Sequence, residues 1–109
     1  MIKFTVPGPL YAYRRIRDKG SYKKYGEYKN RVLGLAMEAG WKGRADSVPE
    51  FPVKLSINVS WKKNPRIDAS NVLKGIEDAL FEQDRWILDV RVIMFPKQKE
   101  ESAVVEVGW

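Results

Sequence analysis

Residues 53–61, VKLSINVSW, set an apolar side chain at every second position: Val53, Leu55, Ile57, Val59 and Trp61. Successive side chains of a β-strand point to opposite faces, so this period of two reads as a strand with one apolar side. Three other stretches carry strand signals. IKFTV (2–6) alternates and stops at the turn PGP; WILDVRVIMF (86–95) is largely apolar; SAVVEVGW (102–109) follows the polar turn PKQKEE.

Two stretches follow the helical period instead. From Ser21 the spacing of Tyr25, Tyr28, Val32, Leu35, Ala36 and Ala39 predicts a helix over 21–39, with Gly40 placed to end it. A second helix is predicted over 69–83, with Val72, Leu73, Ile76, Ala79 and Leu80 as its buried stripe. At about 100° per residue, Ser70, Lys74 and Glu77 share an arc of about 60° on its other side. LYAYRRIRDKG (10–20) and WKGRADSVPEFP (41–52) read as loops. The elements predict an α+β fold, a small mixed sheet of about four strands with two helices, in a single domain over 1–109.

Composition narrows the chemistry. A chain of 109 residues that is 44% hydrophobic can bury one modest core. No apolar run approaches the roughly 20 residues that span a bilayer, and MIKFTVPGPL lacks the layout of a signal peptide, so a cytosolic protein is expected. With no cysteine and no histidine, thiolate zinc sites, a cysteine nucleophile and the usual general base are all excluded. Any active site must use carboxylates, lysines, hydroxyls and amides.

The charge is uneven. Residues 1–45 hold eleven Lys/Arg against three Asp/Glu, whereas residues 46–109 hold nine against eleven. All five tyrosines, Tyr11, Tyr13, Tyr22, Tyr25 and Tyr28, fall in the basic part, among Arg14, Arg15, Arg17, Lys23, Lys24 and Lys29. Cations for phosphates beside rings that can stack on bases make up a nucleic-acid surface. The plainer alternative is a solvated basic face whose tyrosines partly bury in the core.

Two carboxylates stand out. Asp68 precedes the second helix, where it can cap the N-terminus or stand beside a phosphate docked there. Asp89, amid Ile87, Leu88, Val90, Val92 and Ile93, would be costly to bury unpaired. It therefore lies at an exposed strand end, pairs with a cation such as Arg91, or binds a metal. Hard oxygen ligands with Lys74 nearby would equip metal-assisted phosphodiester hydrolysis.

The order D-x-x-N-x-x-K-x-x-x-D-A-L (Asp68, Asn71, Lys74, Asp78 to Leu80), then W-I-L-D-x-x-V (Trp86 to Asp89, Val92), resembles the RusA-type Holliday junction resolvase family. The early PGP turn, the arginine-rich segment and YKNRV (28–32) are similar too. The resemblance implies a homodimer that binds four-way DNA junctions and makes paired Mg²⁺-dependent nicks, with Mn²⁺ able to substitute and no organic cofactor. Asp68 and Asp89 would be metal ligands and Lys74 a catalytic cation. The implied setting is the bacterial cytoplasm or nucleoid, in a protein of bacterial or phage origin and with no membrane partner.

One position departs from the family pattern D-x-D-N-x-x-K: Ser70 stands where a second aspartate is expected. Glu77, two helical turns along the same face, is the candidate replacement, giving Asp68, Asp89 and Glu77 as metal ligands; its alternative is a surface helix charge. Ser70 and Asn71 would position water or phosphate. DNA would be held by Arg14, Arg15, Arg17, Lys23, Lys24, Lys62, Lys63, Arg66 and Asn71. Two other readings stand: a junction-binding protein of this fold that does not cut, and an RNA-binding or protein-interaction domain in which the acids are surface charges.

Overall fold

The structure, a computed structural model, describes residues 1–10, 19–41, 53–62, 69–81 and 87–108. Its elements run β1 (Ile2–Pro7), α1 (Lys19–Glu38), β2 (Val53–Ser60), α2 (Ala69–Leu80), β3 (Ile87–Phe95) and β4 (Ser102–Gly108). The fold is α+β, with a four-stranded mixed sheet in the order β1-β4-β2-β3. β4 pairs antiparallel with both β1 and β2, while β2 and β3 are parallel. Parallel neighbours need a crossover to bring the chain back to the same end, and α2 lies within that crossover.

The alternation read in the sequence decides which way the sheet faces. Val53, Leu55, Ile57 and Val59 are buried, as are Ile2, Phe4 and Val6 on β1 and Ala103, Val105 and Val107 on β4. They form one core with Val32 and Ala36 of α1 and Val72, Ile76, Ala79 and Leu80 of α2. Both helices therefore cover one face. The other face carries Lys3, Thr5, Lys54, Ser56, Asn58 and Glu106 and, among the described residues, is left open. Each fully buried aliphatic side chain contributes about 1.5–3 kcal/mol by leaving water.

α1 is fixed at its C-terminus and again near its middle. Gly40, at φ 113°, donates its N–H to Met37 O at 3.0 Å, and Trp41 donates its N–H to Ala36 O at 2.9 Å. This is a Schellman cap, which needs the left-handed conformation that glycine adopts without steric cost. The cap turns Trp41 into the core, where its indole N–H donates to Leu80 O at 3.3 Å and its ring meets Phe81 edge-on at 5.4 Å. Earlier on the helix, the Arg31 guanidinium donates to Pro7 O at 3.2 Å and Pro9 O at 2.9 Å, fastening α1 to the end of β1.

Small differences from the sequence reading lie at element ends. α1 begins at Lys19 instead of Ser21, and α2 stops at Leu80, with Phe81 N–H closing the last turn onto Glu77 O at 2.8 Å. Residues 82 and 83, assigned to that helix from the sequence, lie outside the described residues. Trp61 leaves the strand: its N–H donates to Phe95 O and its carbonyl accepts from Gln98 N–H, each at 2.8 Å, holding the chain after β3 against the end of β2.

Candidate nucleic-acid and metal site

The amphipathic period of α2 separates its side chains as the sequence implies. Val72, Gly75, Ile76, Ala79 and Leu80 are buried. Ser70 and Lys74 are exposed, and Asn71, Glu77 and Asp78 are half-buried. Ser70, Lys74 and Glu77 thus form a polar ridge away from the core.

The ridge is tied to α1 through Asp78. Lys74 Nζ lies 3.6 Å from Asp78 Oδ1, one turn on. The Tyr25 hydroxyl, from α1, donates to Asp78 Oδ2 at 2.6 Å. Asp78 therefore works for the packing of the two helices and for the placement of the Lys74 ammonium. The ion pair alone is worth only about 0.3–0.5 kcal/mol at this exposure. The hydrogen bond from a buried tyrosine is the stronger restraint.

Asp89 is not part of this ridge. In the ladder it stands opposite Lys54, and Arg91 stands opposite Ser56. Asp89 and Arg91 line a shallow cleft with Lys54, Ser56, Glu106 and Gly108, on the open face of the sheet. α2 covers the other face, so the sheet itself stands between the Asp89 carboxylate and Glu77. Of the ligands expected from the sequence, Asp89 and Glu77 thus stand on opposite faces of the sheet. The cause is a register shift between Val53 and Lys54, whose β3 partners are Ile87 and Asp89. One extra residue, Leu88, enters there and sets which face each following side chain takes. Asp89 is exposed near the start of β3.

Among the described residues, no group of three or more acidic side chains is placed to hold a metal ion. Asp68 lies outside the described residues, as do Arg14, Arg15, Arg17, Lys63 and Arg66. Lys23 and Lys24 are exposed on α1. Lys62 is exposed beside the end of β1, in a cleft shared with Pro7, Gly8, Pro9, Glu101 and Ser102.

The tyrosines of α1 divide from the cations around them. Tyr25 and Tyr28 are each only 5% exposed, so neither ring is open for a base to stack on. Lys29 lies 4.9 Å from the Tyr25 ring centre and Arg31 lies 5.4 Å from that of Tyr28. These two rings belong to the core and serve as seats for cations. For them the plainer alternative holds; Tyr11 and Tyr13 lie outside the described residues.

The functional contacts that the sequence reading missed are those of Tyr25 and Arg31. Tyr25 was counted as a member of a basic, tyrosine-rich surface and Arg31 only as part of YKNRV, yet each makes a specific bond to another segment. For Tyr25 the available signal was its helical spacing with Val32 and Ala36; for Arg31, which lies off that stripe, the sequence offered none. A scan of protein-family models finds none that matches the chain, and a search of curated proteins finds no match.

Proposed function

We propose that the chain is a RusA-type structure-selective endodeoxyribonuclease, binding four-way DNA junctions as a homodimer and nicking them in a Mg²⁺-dependent reaction. The observation that supports this reading is the polar ridge of α2. Ser70, Lys74 and Glu77 share one face of α2, and the motif's Asn71 and Lys74 lie on the same helix, close to an N-terminus that favours phosphate. The net charge of +6 favours the same polyanionic partner.

The chain's own residues divide the work as follows. Asp68 would hold the metal, with Ser70 and Asn71 as the neighbouring neutral oxygens; Mg²⁺ commonly takes only one or two carboxylates and keeps several waters. When bound, the ion activates a water and neutralises phosphate charge. Lys74, held by Asp78 and in turn by Tyr25, places a cation where charge develops on the scissile phosphate. Glu77 stands two turns beyond Ser70, about 10 Å along the helix axis, and adds a second carboxylate to the same ridge. Lys23, Lys24 and Lys62, together with the basic residues of the 11–18 and 63–66 segments, would supply phosphate contacts.

A second reading is favoured by two particular observations. Ser70 replaces an acid, and Asp89 sits across the sheet, so the ridge is poor in carboxylates. A protein that binds junctions without cutting them fits that ridge as well. A labelled synthetic four-way junction, incubated with and without Mg²⁺, separates the two. Metal-dependent paired nicks are expected, lost in Asp68→Asn with junction binding retained, and unaffected in Asp89→Asn. Junction binding with no nicks at any Mg²⁺ concentration selects the non-cutting reading, and equal affinity for linear duplex removes both.

A further inference from the structure

The open face of the sheet is charged at one end and uncharged at the other. Read across the ladders, its rows are Lys3-Glu106-Ser56-Arg91, then Thr5-Val104-Asn58-Ile93, then Pro7-Ser102-Ser60-Phe95. At the charged end the groups answer one another: Lys3 Nζ lies 3.3 Å from Glu106 Oε1, and Asp89 stands opposite Lys54. The other end holds an aromatic ring in water, with Phe95 44% exposed and Ile93, on the same face, 39%. A single exposed ring is ordinary; this one borders a cationic cleft. Ser60, directly opposite Phe95, lines it with Ser102, Lys97, Gln98, Lys99 and Glu100. The turn that carries the lysines is held in place, since Gln98 N–H donates to Trp61 O at 2.8 Å and the Gln98 side chain donates to Pro96 O at 3.1 Å. Lys62 lies in an adjoining cleft with Ser102, Glu100 and Glu101. Among the described residues, none of Lys62, Lys97 and Lys99 is in an ion pair. Three lysines against two glutamates leave this end cationic.

We infer that this end of the open face binds a single strand of DNA, one unstacked base lying on the Phe95 ring and the adjoining phosphate reaching the lysines and serine hydroxyls of the cleft. The ring selects the single strand: every base has a π-face, but in a duplex those faces are already stacked on their neighbours. The cations select the backbone, and do so without regard to sequence. Ile93 extends the apolar seat, and Asn58, opposite it in the ladder, offers a hydrogen bond to a base edge. The surface lies across the sheet from the polar ridge of α2, so a strand held here is distinct from a phosphate held there. The inference rests on the nucleic-acid reading of the chain's charge and not on cleavage. Single strand and junction are titrated separately, so either can fail alone.

The test is an anisotropy titration, in EDTA, of a labelled thymidine oligonucleotide of about twelve residues, beside a duplex of the same length. The single strand is expected to bind more tightly. Phe95→Thr removes the ring and keeps a strand-forming side chain; it should weaken that binding by about fivefold or more. Lys97→Gln and Lys99→Gln should each reduce the slope of log affinity against log salt by about 0.7. On the wild-type chain, an oligonucleotide carrying 5-iodouracil should form its photo-adduct at Phe95, located by mass spectrometry of the peptides. A wild type that prefers duplex, a folded Phe95→Thr variant that binds the single strand within about twofold of wild type, or a photo-adduct that avoids Phe95 would each overturn the inference. A chain mass in light scattering that changes on Phe95→Thr would assign the face to a second copy and overturn it as well. If that variant fails to fold, the photo-adduct on the wild type decides.

Discussion

Replacing Tyr25 by phenylalanine isolates one atom of the contact between α1 and α2. The ring is buried and is retained by the substitution, so apolar burial is unchanged and the loss is confined to the hydroxyl that donates to Asp78 at 2.6 Å. A hydrogen bond to a charged acceptor contributes about 1.5–3 kcal/mol. Here the Asp78 side chain is 32% exposed, so water can replace the lost donor, and phenylalanine leaves no unpaired group behind. The expected cost is thus toward the low end, about 1–2 kcal/mol. The Lys74–Asp78 pair should contribute less, about 0.3–0.5 kcal/mol, and Lys74→Met should show it. With a urea slope of about 1–3 kcal/mol/M, Tyr25→Phe should lower the unfolding midpoint by roughly 0.5–1 M without altering the slope. A double-mutant cycle with Asp78→Ala should return a coupling of about 1 kcal/mol or more. Additivity within about 0.3 kcal/mol would refute the argument and reduce the contact to an incidental approach.

Two glycine positions give further tests. Gly40→Ala forces a Cβ into the left-handed conformation of the cap and should cost about 1–2 kcal/mol, whereas Gly26→Ala, with nothing within 4 Å of the added Cβ, should stabilise α1 by about 0.5–1 kcal/mol; thermal melts of the two variants should move in opposite directions. Gly8→Ala would set its Cβ 2.7 Å from Glu101 Cβ and O, against backbone that cannot swing aside, and should lower stability by about 1–3 kcal/mol in a urea titration.

The parts of the fold that were legible in the sequence are those that a local period records. VKLSINVSW states its buried face outright, because polar and apolar residues alternate without exception. Gly40 follows a clear helical stripe, and its cap is where that stripe ends. Asp89 shows where such reading stops. WILDVRVIMF has apolar residues at successive positions, so no period of two reveals its faces, and a single inserted residue at Leu88 decides which side the carboxylate takes. That decision is made by pairing with β2, a contact distant in sequence. Tyr25 fails for another reason: an amphipathic ring looks the same in sequence whether its edge meets DNA or a neighbouring helix. On α2 the polar ridge was readable from spacing alone, whereas Asp68 and all of the arginines assigned to DNA fall outside the described residues.

The position of β4 has a consequence for how the chain comes together. It is the last of the described elements in sequence order, yet it lies inside the sheet, between β1 and β2, with Ile2 opposite Val107 and Leu55 opposite that same residue. Until β4 emerges from the ribosome, β1 has no neighbour and β2 is bare on one side. β1 must wait for β4, and closing the long loop between them is slow. A nascent chain stalled before residue 102 would hold a half-sheet of β2 and β3 with two apolar strand edges in water, a natural target for holding chaperones until synthesis releases the strand that completes the sheet.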